Sequence, residues 1–183
     1  MRQARMLKYL VLALALCLAP AVARAAGFAG VEAMTATVMQ RHQSSFSGIA
    51  LRAKIQPPQL IPQVSLMPTI EYWRNSSQIE TFGIEASRKD ATLGVDARYD
   101  FKAGGFEPYL GAGFGIHFLS VAVDAPTLGL NDERDSLIKG GLTVLGGASF
   151  AISDRLANFV ELKYHHVTDH EQLKLNFGLG WKL

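Results

Sequence analysis

Apolar and polar residues alternate strictly over the last stretch of the chain, QLKLNFGLGWKL. Every second residue from Leu173 to Leu183 is apolar, and the residues between them are polar or glycine. Successive side chains of a β-strand point to opposite faces, so this period of two predicts a strand with one apolar and one polar face. Chain ends usually fray. Alternation that continues to Leu183 therefore predicts a last strand that is held in a sheet.

The same alternation recurs along the rest of the chain. It is clearest in the segments IALRAKI (49–55), PQVSLMPTIEYW (62–73), ATLGVDARYDF (91–101), PYLGAGFGIHF (108–118) and FVELKYHH (159–166). Two further segments, 30–40 and 140–152, alternate less clearly, and we include them because strands joined as hairpins need an even count. The pattern predicts strands at about 28–40, 46–56, 60–74, 89–102, 106–119, 138–151, 156–167 and 171–183.

The connections between these strands alternate in character. Short turns are predicted at 56–59, 102–105 and 153–157, and longer or more polar connections at 41–45, 74–89, 120–139 and 168–172. Consecutive connections of an up-and-down sheet lie at opposite ends. The alternation in length therefore places the short turns at one end and the longer connections at the other. Outer-membrane barrels have this asymmetry, with short periplasmic turns and longer outside loops. We therefore expect the loops 74–89 and 120–139 to be displayed outside the cell.

The contents of the polar face indicate which way each face points. It holds glycines at 111, 113, 115, 178 and 180, which weaken a solvated strand but suit the cramped interior of a barrel of eight strands. It also holds charges of both signs, which predicts pairing across a lumen. These charged residues are Arg52, Lys54, Arg98, Lys163, Lys174, Glu71, Asp96, Asp100 and Glu161. The apolar face would then contact lipid.

Aromatic residues fall near the ends of the predicted strands, where interfacial girdles lie in membrane barrels. They are Tyr72, Tyr99, Phe101, Tyr164 and Trp181. The fold class predicted from the chain is all-β, an eight-stranded antiparallel up-and-down transmembrane β-barrel.

The beginning of the chain has the order of a secretory signal peptide. Basic residues (Arg2, Arg5, Lys8) precede an apolar run over 9–19, and Ala23-Arg24-Ala25 forms a small-residue cleavage site. The run is too short to cross a bilayer core of roughly 30 Å as a helix. We predict a cleaved signal peptide at 1–25 and a single barrel domain at 26–183.

Charge and cysteine use narrow the functional classes. The predicted leader holds four of the 18 Lys and Arg residues and none of the 16 Asp and Glu residues, so 14 basic and 16 acidic residues remain, a net charge of −2. No basic excess remains to favour nucleic acid. The one cysteine, Cys17, also lies in the leader, so the exported domain is predicted to fold without a disulfide.

The strands after residue 46 resemble a known family. The signal peptide, PYLGAGFGIHF, FVELKYHHV and the closing LKLNFGLGWKL are similar to small bacterial outer-membrane β-barrel proteins, the OmpA-like and opacity-type barrel domains. The resemblance covers most of 46–183 and is weaker over 26–45. It implies a bacterial outer-membrane location, contact with lipid and lipopolysaccharide, and insertion by the barrel-assembly machinery through the C-terminal strand. We further predict a monomer.

Candidate chemistry is concentrated in YHHVTDHE. Some barrels similar to this one act on lipid A with a histidine, a serine and an acid near the outer rim. The corresponding candidates here are His165, His166, Thr168, Asp169, His170 and Glu171, which also include donors suited to Zn²⁺. Thr168 follows His166 by two residues, as the serine does in lipid A deacylases. Strand parity places His165 inward and His166 outward, and ordinary rim and lumen histidines are the preferred interpretation.

These observations favour a non-enzymatic outer-membrane protein with a role in envelope integrity or surface interaction. We predict no catalytic, metal-binding or cofactor-binding residues and no cofactor. Two alternatives stay open. One is a barrel enzyme that modifies lipid A through His165, His166 and Thr168. The other is a soluble periplasmic barrel that binds a small apolar ligand, with its apolar face inward and Arg52, Asp96, Lys163 and Lys174 outward.

Overall fold

Eight antiparallel strands close on themselves into a barrel in a computed structural model of the chain. The structure describes residues 27–40, 44–79, 84–101, 103, 106–125, 130–168 and 170–183. The strands are β1 (Phe28–Gln40), β2 (Phe46–Ile55), β3 (Val64–Ile79), β4 (Ile84–Asp100), β5 (Glu107–Ala125), β6 (Leu130–Ala151), β7 (Leu156–Val167) and β8 (Gln172–Lys182). Within these ranges, no helix is long and apolar enough to cross a membrane.

Closure of the barrel explains why the alternation continues to the end of the chain. β8 pairs with β1 from Gly30 opposite Lys182 to Gln40 opposite Gln172, and Leu183 N donates to Ala29 O at 3.0 Å. The prediction of a paired last strand, and with it the predicted fold class, is confirmed. β1 also shows that most of the weakly patterned segment 26–45 is strand, since Phe28–Gln40 pairs on both sides.

The apolar face points away from the barrel axis. Ile49, Leu51, Ile70 and Leu142 are each about three-fifths exposed, at 61%, 65%, 61% and 62%. Arg52, Asp96, Lys163 and Lys174 are instead buried inside, at no more than 2% exposure. The alternative of a soluble ligand-binding barrel required the opposite arrangement and is wrong. Closure of the barrel pairs the backbone N–H and C=O groups of every strand, and the apolar side chains around it match the hydrocarbon of a membrane.

Two of the predicted loops are mostly strand. The ladder between β3 and β4 continues from Arg74 opposite Lys89 to Ile79 opposite Ile84, and β5 and β6 continue to Ala125 opposite Leu130. The interpretation of 74–89 and 120–139 as long loops was therefore wrong over most of both segments. Apolar residues recur at every second position only where one face of a strand contacts lipid. Where both faces meet water, the strand continues but its sequence no longer shows this alternation.

The predicted start of the third strand at residue 60 was also wrong. Residues 60–63 form a turn, in which Leu60 N donates to Pro57 O at 3.0 Å and Val64 N donates to Ile61 O at 2.9 Å. Three prolines in this region lack the backbone N–H that a ladder needs. The other strand ends predicted at the tight end of the barrel lie within two residues of their predicted positions.

Close packing requires three of the five glycines predicted to face inward, Gly111, Gly113 and Gly178, whereas Gly115 and Gly180 have no atom within 3.0 Å of an added Cβ. A Cβ built on Gly113 would lie 2.3 Å from both Val95 O and Asp96 Oδ1, and one built on Gly178 would lie 2.5 Å from Ala33 O. Val95 O and Ala33 O are backbone atoms, which cannot move without disturbing the ladder. Larger side chains at these positions are therefore excluded.

Substitution of Gly113 by alanine is expected to destabilise the barrel by about 1–3 kcal/mol or more, because the new methyl group overlaps the β4 backbone. Urea unfolding of the protein refolded into phospholipid vesicles measures this. Gly115→Ala is the matched control on the same strand, since its nearest atom is the movable Thr92 Cγ2 at 3.2 Å. Equal free energies of unfolding for the two variants would contradict the packing argument.

Candidate functional site

Near the chain termini, the lumen is filled by a network centred on Glu32 and Arg52. Arg52 Nε donates to Glu32 Oε2 at 2.8 Å, and Arg52 Nη1 donates to Glu161 Oε2 at 2.8 Å. Arg98 Nη1 donates to the other Glu32 oxygen at 2.9 Å, and Asn176 Nδ2 donates to Glu161 Oε1 at 2.9 Å. Each carboxylate therefore uses both oxygens.

Two aromatic rings complete this layer. Arg52 lies over the Phe159 ring at 5.3 Å and Arg98 lies over the Tyr109 ring at 4.5 Å. Both rings are buried, at 3% and 1% exposure. Sequence analysis did not single out either ring, although strand parity with the outward Leu110 and Val160 places both inward. The rings shield the guanidinium groups from water and add cation–π attraction.

Glu71 is the common anion of the middle layer. Lys163 Nζ donates to Glu71 Oε1 at 2.6 Å and to Asp96 Oδ2 at 2.9 Å. Lys174 Nζ donates to Glu71 Oε2, and His165 Nε2 lies 3.6 Å from the same oxygen. Two ammonium groups therefore depend on one buried carboxylate.

Pairing across the lumen is confirmed for all nine charged residues predicted to face it. Lys54 and Asp100 complete the set at 2.7 Å, near the tight end of the barrel. Glu32 was missed because β1 places Met34, Ala36 and Val38 inward and so lacks the usual alternation. The side chains of these layers occupy the barrel interior, which argues against an open channel.

A third cluster lies toward the opposite end, below the extended hairpins, and sequence analysis did not find it. His117 Nδ1 donates to Asp90 Oδ2 at 2.9 Å, and Thr92 Oγ1 donates to Asp90 Oδ1 at 3.1 Å. Gln172 Nε2 donates to Asp90 Oδ2 at 3.0 Å, and Trp73 Nε1 donates to Gln172 Oε1 at 3.2 Å. The inward parity of these residues is readable from the sequence, but their mutual contacts depend on the closed barrel.

The Asp90–His117 pair has the geometry by which a carboxylate orients a histidine for general-base catalysis. Both side chains are fully buried, and His117 Nε2 has no hydrogen-bond partner among the described residues. Thr92 Oγ1 lies 3.0 Å from His117 Nδ1, on the side of the ring already bound to Asp90. The arrangement fits an interior polar cluster better than a site open to substrate.

His170 covers this cluster at the hairpin end of the lumen. Its ring stacks on Trp73, with centroids 5.8 Å apart, and its Nε2 lies 3.3 Å from Gln40 Nε2. Burial lowers the pKa of His170 to about 4, although Asp90, with an oxygen 3.9 Å away, opposes the change. His170 is therefore neutral at pH 7, and Nε2 is free to accept a hydrogen bond from Gln40.

The histidines of YHHVTDHE are not brought together. His165 points into the lumen and His166 points outward, as predicted, whereas His170 covers the lumen. On the outer surface, His166 Nδ1 lies 3.3 Å from Glu171 Oε1. Lys139, at the register position opposite the inward His117, donates to Thr168 O at 2.7 Å. Asp169 lies outside the described residues. Within the described ranges, no three His, Cys, Asp or Glu residues are grouped to hold a metal ion.

The extended hairpins form one continuous sheet of four strands beyond the barrel. β4 and β5 pair as far as Glu85 opposite Asp124, so both hairpins are joined. β2 pairs with β3 only up to Gly48 opposite Trp73, and β7 pairs with β6 only from Val167 opposite Gly141. Over the described residues, β3 beyond Trp73 and β6 before Gly141 thus have one unpaired side each. We call residues 74–79, 84–89, 120–125 and 130–140 the protruding sheet.

Replacing Glu71 by glutamine is expected to destabilise the barrel by about 3–5 kcal/mol, because Lys174 is left buried without its counter-charge. Urea unfolding in vesicles measures the change. Glu107→Gln, at an exposed position of β5, is the matched control. Removing both partners in Glu71→Gln with Lys174→Met should recover part of the loss. A single variant as stable as the control would show that Glu71 is not the anion that holds the layer.

The barrel superimposes on solved outer-membrane barrels. Neisserial surface protein A superimposes with a TM-score of 0.61 at 22% identity, over 85% of this chain and 96% of that one. Ail, the attachment invasion locus protein of Yersinia pestis, solved with the heparin analogue sucrose octasulfate, gives 0.62 at 12% identity, over 86% and 99%. A major outer membrane protein from Thermus thermophilus gives 0.62 at 12%, over 84% and 99%.

These identities establish the fold and not a shared function. No curated protein matches the chain. A family model described as the opacity family porin protein matches residues 65–182, which is more than half of the chain. The chain therefore belongs to the opacity family of porins and is a small outer-membrane β-barrel protein.

Proposed function

We propose that this protein anchors the protruding sheet at the bacterial surface and presents it to a partner outside the cell. The observation that supports this most directly is the extension of β3–β6 beyond the barrel as a joined sheet of four strands. The orientation follows from the longer connections, which lie outside in barrels of this kind. The filled lumen gives the barrel the role of a rigid anchor and not of a conduit.

The chemistry of the sheet favours a polypeptide partner. An unpaired strand edge offers a row of N–H and C=O groups to which an extended peptide can add as a further strand. Segments 74–89 and 120–139 together hold five Lys or Arg and six Asp or Glu residues, so no large charge of either sign attracts a polyelectrolyte. Ail was solved with a heparin analogue, but these two segments lack the excess of positive charge that such a ligand would need.

The remaining parts of the proposal concern export and surroundings. Residues 1–25 direct export and are removed, the C-terminal strand is read by the barrel-assembly machinery, and the mature domain inserts as a monomer among outer-membrane lipid and lipopolysaccharide. A contribution to envelope integrity is the competing role. The buried ion pairs are consistent with both the display role and the envelope role. An envelope role alone, however, does not explain the protruding sheet.

We further propose that the protein is not an enzyme. The Asp90 and His117 side chains are fully buried in the lumen, on the opposite face of the strands from the apolar band. The exposed His166–Glu171 pair, at 3.3 Å, has no hydroxyl of Thr168 among its described hydrogen-bond partners. The lipid A-modifying alternative therefore lacks an assembled nucleophile.

Shortening the protruding sheet is expected to abolish surface attachment and to leave the barrel intact. In this variant, Asn-Gly replaces both Ser77–Ala86 and Val123–Glu133, so the hairpins close directly above the pairs Ser76–Ser87 and Ala122–Arg134. Cells that lack the protein are complemented with either form. Attachment to protein-coated surfaces and resistance to detergent are then measured.

Heat-dependent mobility on SDS gels checks that the shortened barrel has folded. Loss of attachment with unchanged detergent resistance is the expected result. Normal attachment with the shortened form would refute the display function. Loss of detergent resistance alone would assign the envelope role instead.

Lipid A is expected to be unmodified by this protein. Mass spectra of lipid A from cells with no protein, with the wild type and with His166→Ala should be identical, because no nucleophile is assembled beside His166. A lipid A species that depends on the wild type and disappears with His166→Ala would instead establish the enzyme.

A further inference from the structure

The outer surface of β3–β6 changes chemistry abruptly at one level. The uppermost apolar row runs across four directly paired outward residues, Tyr72, Ala91, Phe118 and Ile138. The next outward row lies two residues further along each strand and is made of cations and hydroxyls. It consists of Arg74, Lys89, Ser120 and Ser136.

Arg74 and Lys89 lie directly opposite each other on β3 and β4. Like charges at directly opposite positions destabilise a sheet pair, because their Cβ atoms are only about 4.5–5.5 Å apart. Neither side chain has a counter-charge among the described residues. An anion from outside the chain would convert this repulsion into attraction.

The neighbouring outward positions whose side chains the structure describes also lack a carboxylate. The row below is apolar, and the described residues of the row above are Ser76, Ser87 and Ala122. Serine hydroxyls donate hydrogen bonds as well as accept them. A guanidinium, an ammonium and several hydroxyls on one face form a donor set suited to phosphate.

The height of this row indicates where the phosphate comes from. A step of two residues along a strand is about 6.6 Å, so the cations lie just beyond the last apolar side chains. Phosphates of lipid headgroups occupy this level of a membrane, next to the hydrocarbon. A free anion in solution would have no reason to be matched to the edge of the apolar band.

We propose that Arg74 and Lys89 bind a phosphate group of an outer-leaflet phosphorylated glycolipid, with Ser120 and Ser136 contacting the adjacent headgroup oxygens. The site rests on the proposed orientation, in which this end of the barrel lies outside. The lipid site is separate from the unpaired sheet edges proposed to bind a polypeptide, because the four side chains project from the outer face of the sheet.

Native mass spectrometry of the folded protein in non-ionic detergent tests the site. The probe is lipid A that carries two phosphates, titrated against the wild type and Arg74→Ser with Lys89→Ser. Each cation near an anionic headgroup contributes about fivefold in affinity, so the double variant should bind about 25-fold more weakly. Arg155→Ser with Lys182→Ser removes one Arg and one Lys at the opposite end of the barrel and should bind as the wild type does.

Three further comparisons identify the ligand. Arg74→Lys with Lys89→Arg keeps both charges and should retain most of the binding. Dephosphorylated lipid A should bind the wild type no better than it binds the double serine variant, and millimolar inorganic phosphate should not displace the lipid. Equal weakening by the two double serine variants, or unchanged binding at Arg74→Ser with Lys89→Ser, would overturn the proposal. Displacement by inorganic phosphate would assign a free-anion site instead.

A separate measurement distinguishes a failure of lipid binding from a failure of the proposed display function. Ser76→Cys adds a thiol beside the row, and the only native cysteine, Cys17, lies in the predicted leader. A membrane-impermeant maleimide should label Ser76→Cys on intact cells, which tests the orientation alone. The shortened-sheet variant keeps Arg74 and Lys89, so attachment and lipid binding can fail independently.

Discussion

The structure depends on one constraint: within hydrocarbon, every backbone N–H and C=O must be paired inside the protein. Strands satisfy this only when the sheet closes, and β8 closes it on β1 along eleven opposed residue pairs, Gly30–Lys182 to Gln40–Gln172. Eight strands leave an interior just wide enough for side chains. The glycines at 113 and 178, and the need to pair every inward charge, follow from that narrow space.

Much of this could be predicted from the chain because lipid imposes a period of two on each strand. The inward positions of Arg52, Glu71 and Lys163 follow from parity alone. Their partners do not, because Arg52 reaches Glu161, which lies 109 residues away in sequence. β1 was harder to interpret, since Met34 and Val38 pack inside against Phe159 and Trp73 and obscure the alternation.

The candidate functional surfaces were less predictable for a related reason. Above the apolar band, both faces of a strand are solvated, so the sequence loses its period while the hydrogen-bonded ladder continues. Residues 74–79 therefore read as loop although they are strand. The Asp90–His117 cluster was missed because no local motif joins residues that meet only across the closed lumen. A pattern within one strand contains no information about its distant neighbours.

The buried ion pairs also determine what the outer surface presents. Glu71 lies opposite Thr92, three residues below the pair formed by Arg74 and Lys89 on the same two strands. A slip of one residue would turn every side chain of β3 to the other face. It would move Glu71 into hydrocarbon and leave Lys163 and Lys174 without their shared carboxylate, at a cost that no surface contact offsets. The register that places two cations side by side above the apolar band is thus enforced from inside the barrel, which is how a closed interior governs the chemistry of the exposed face.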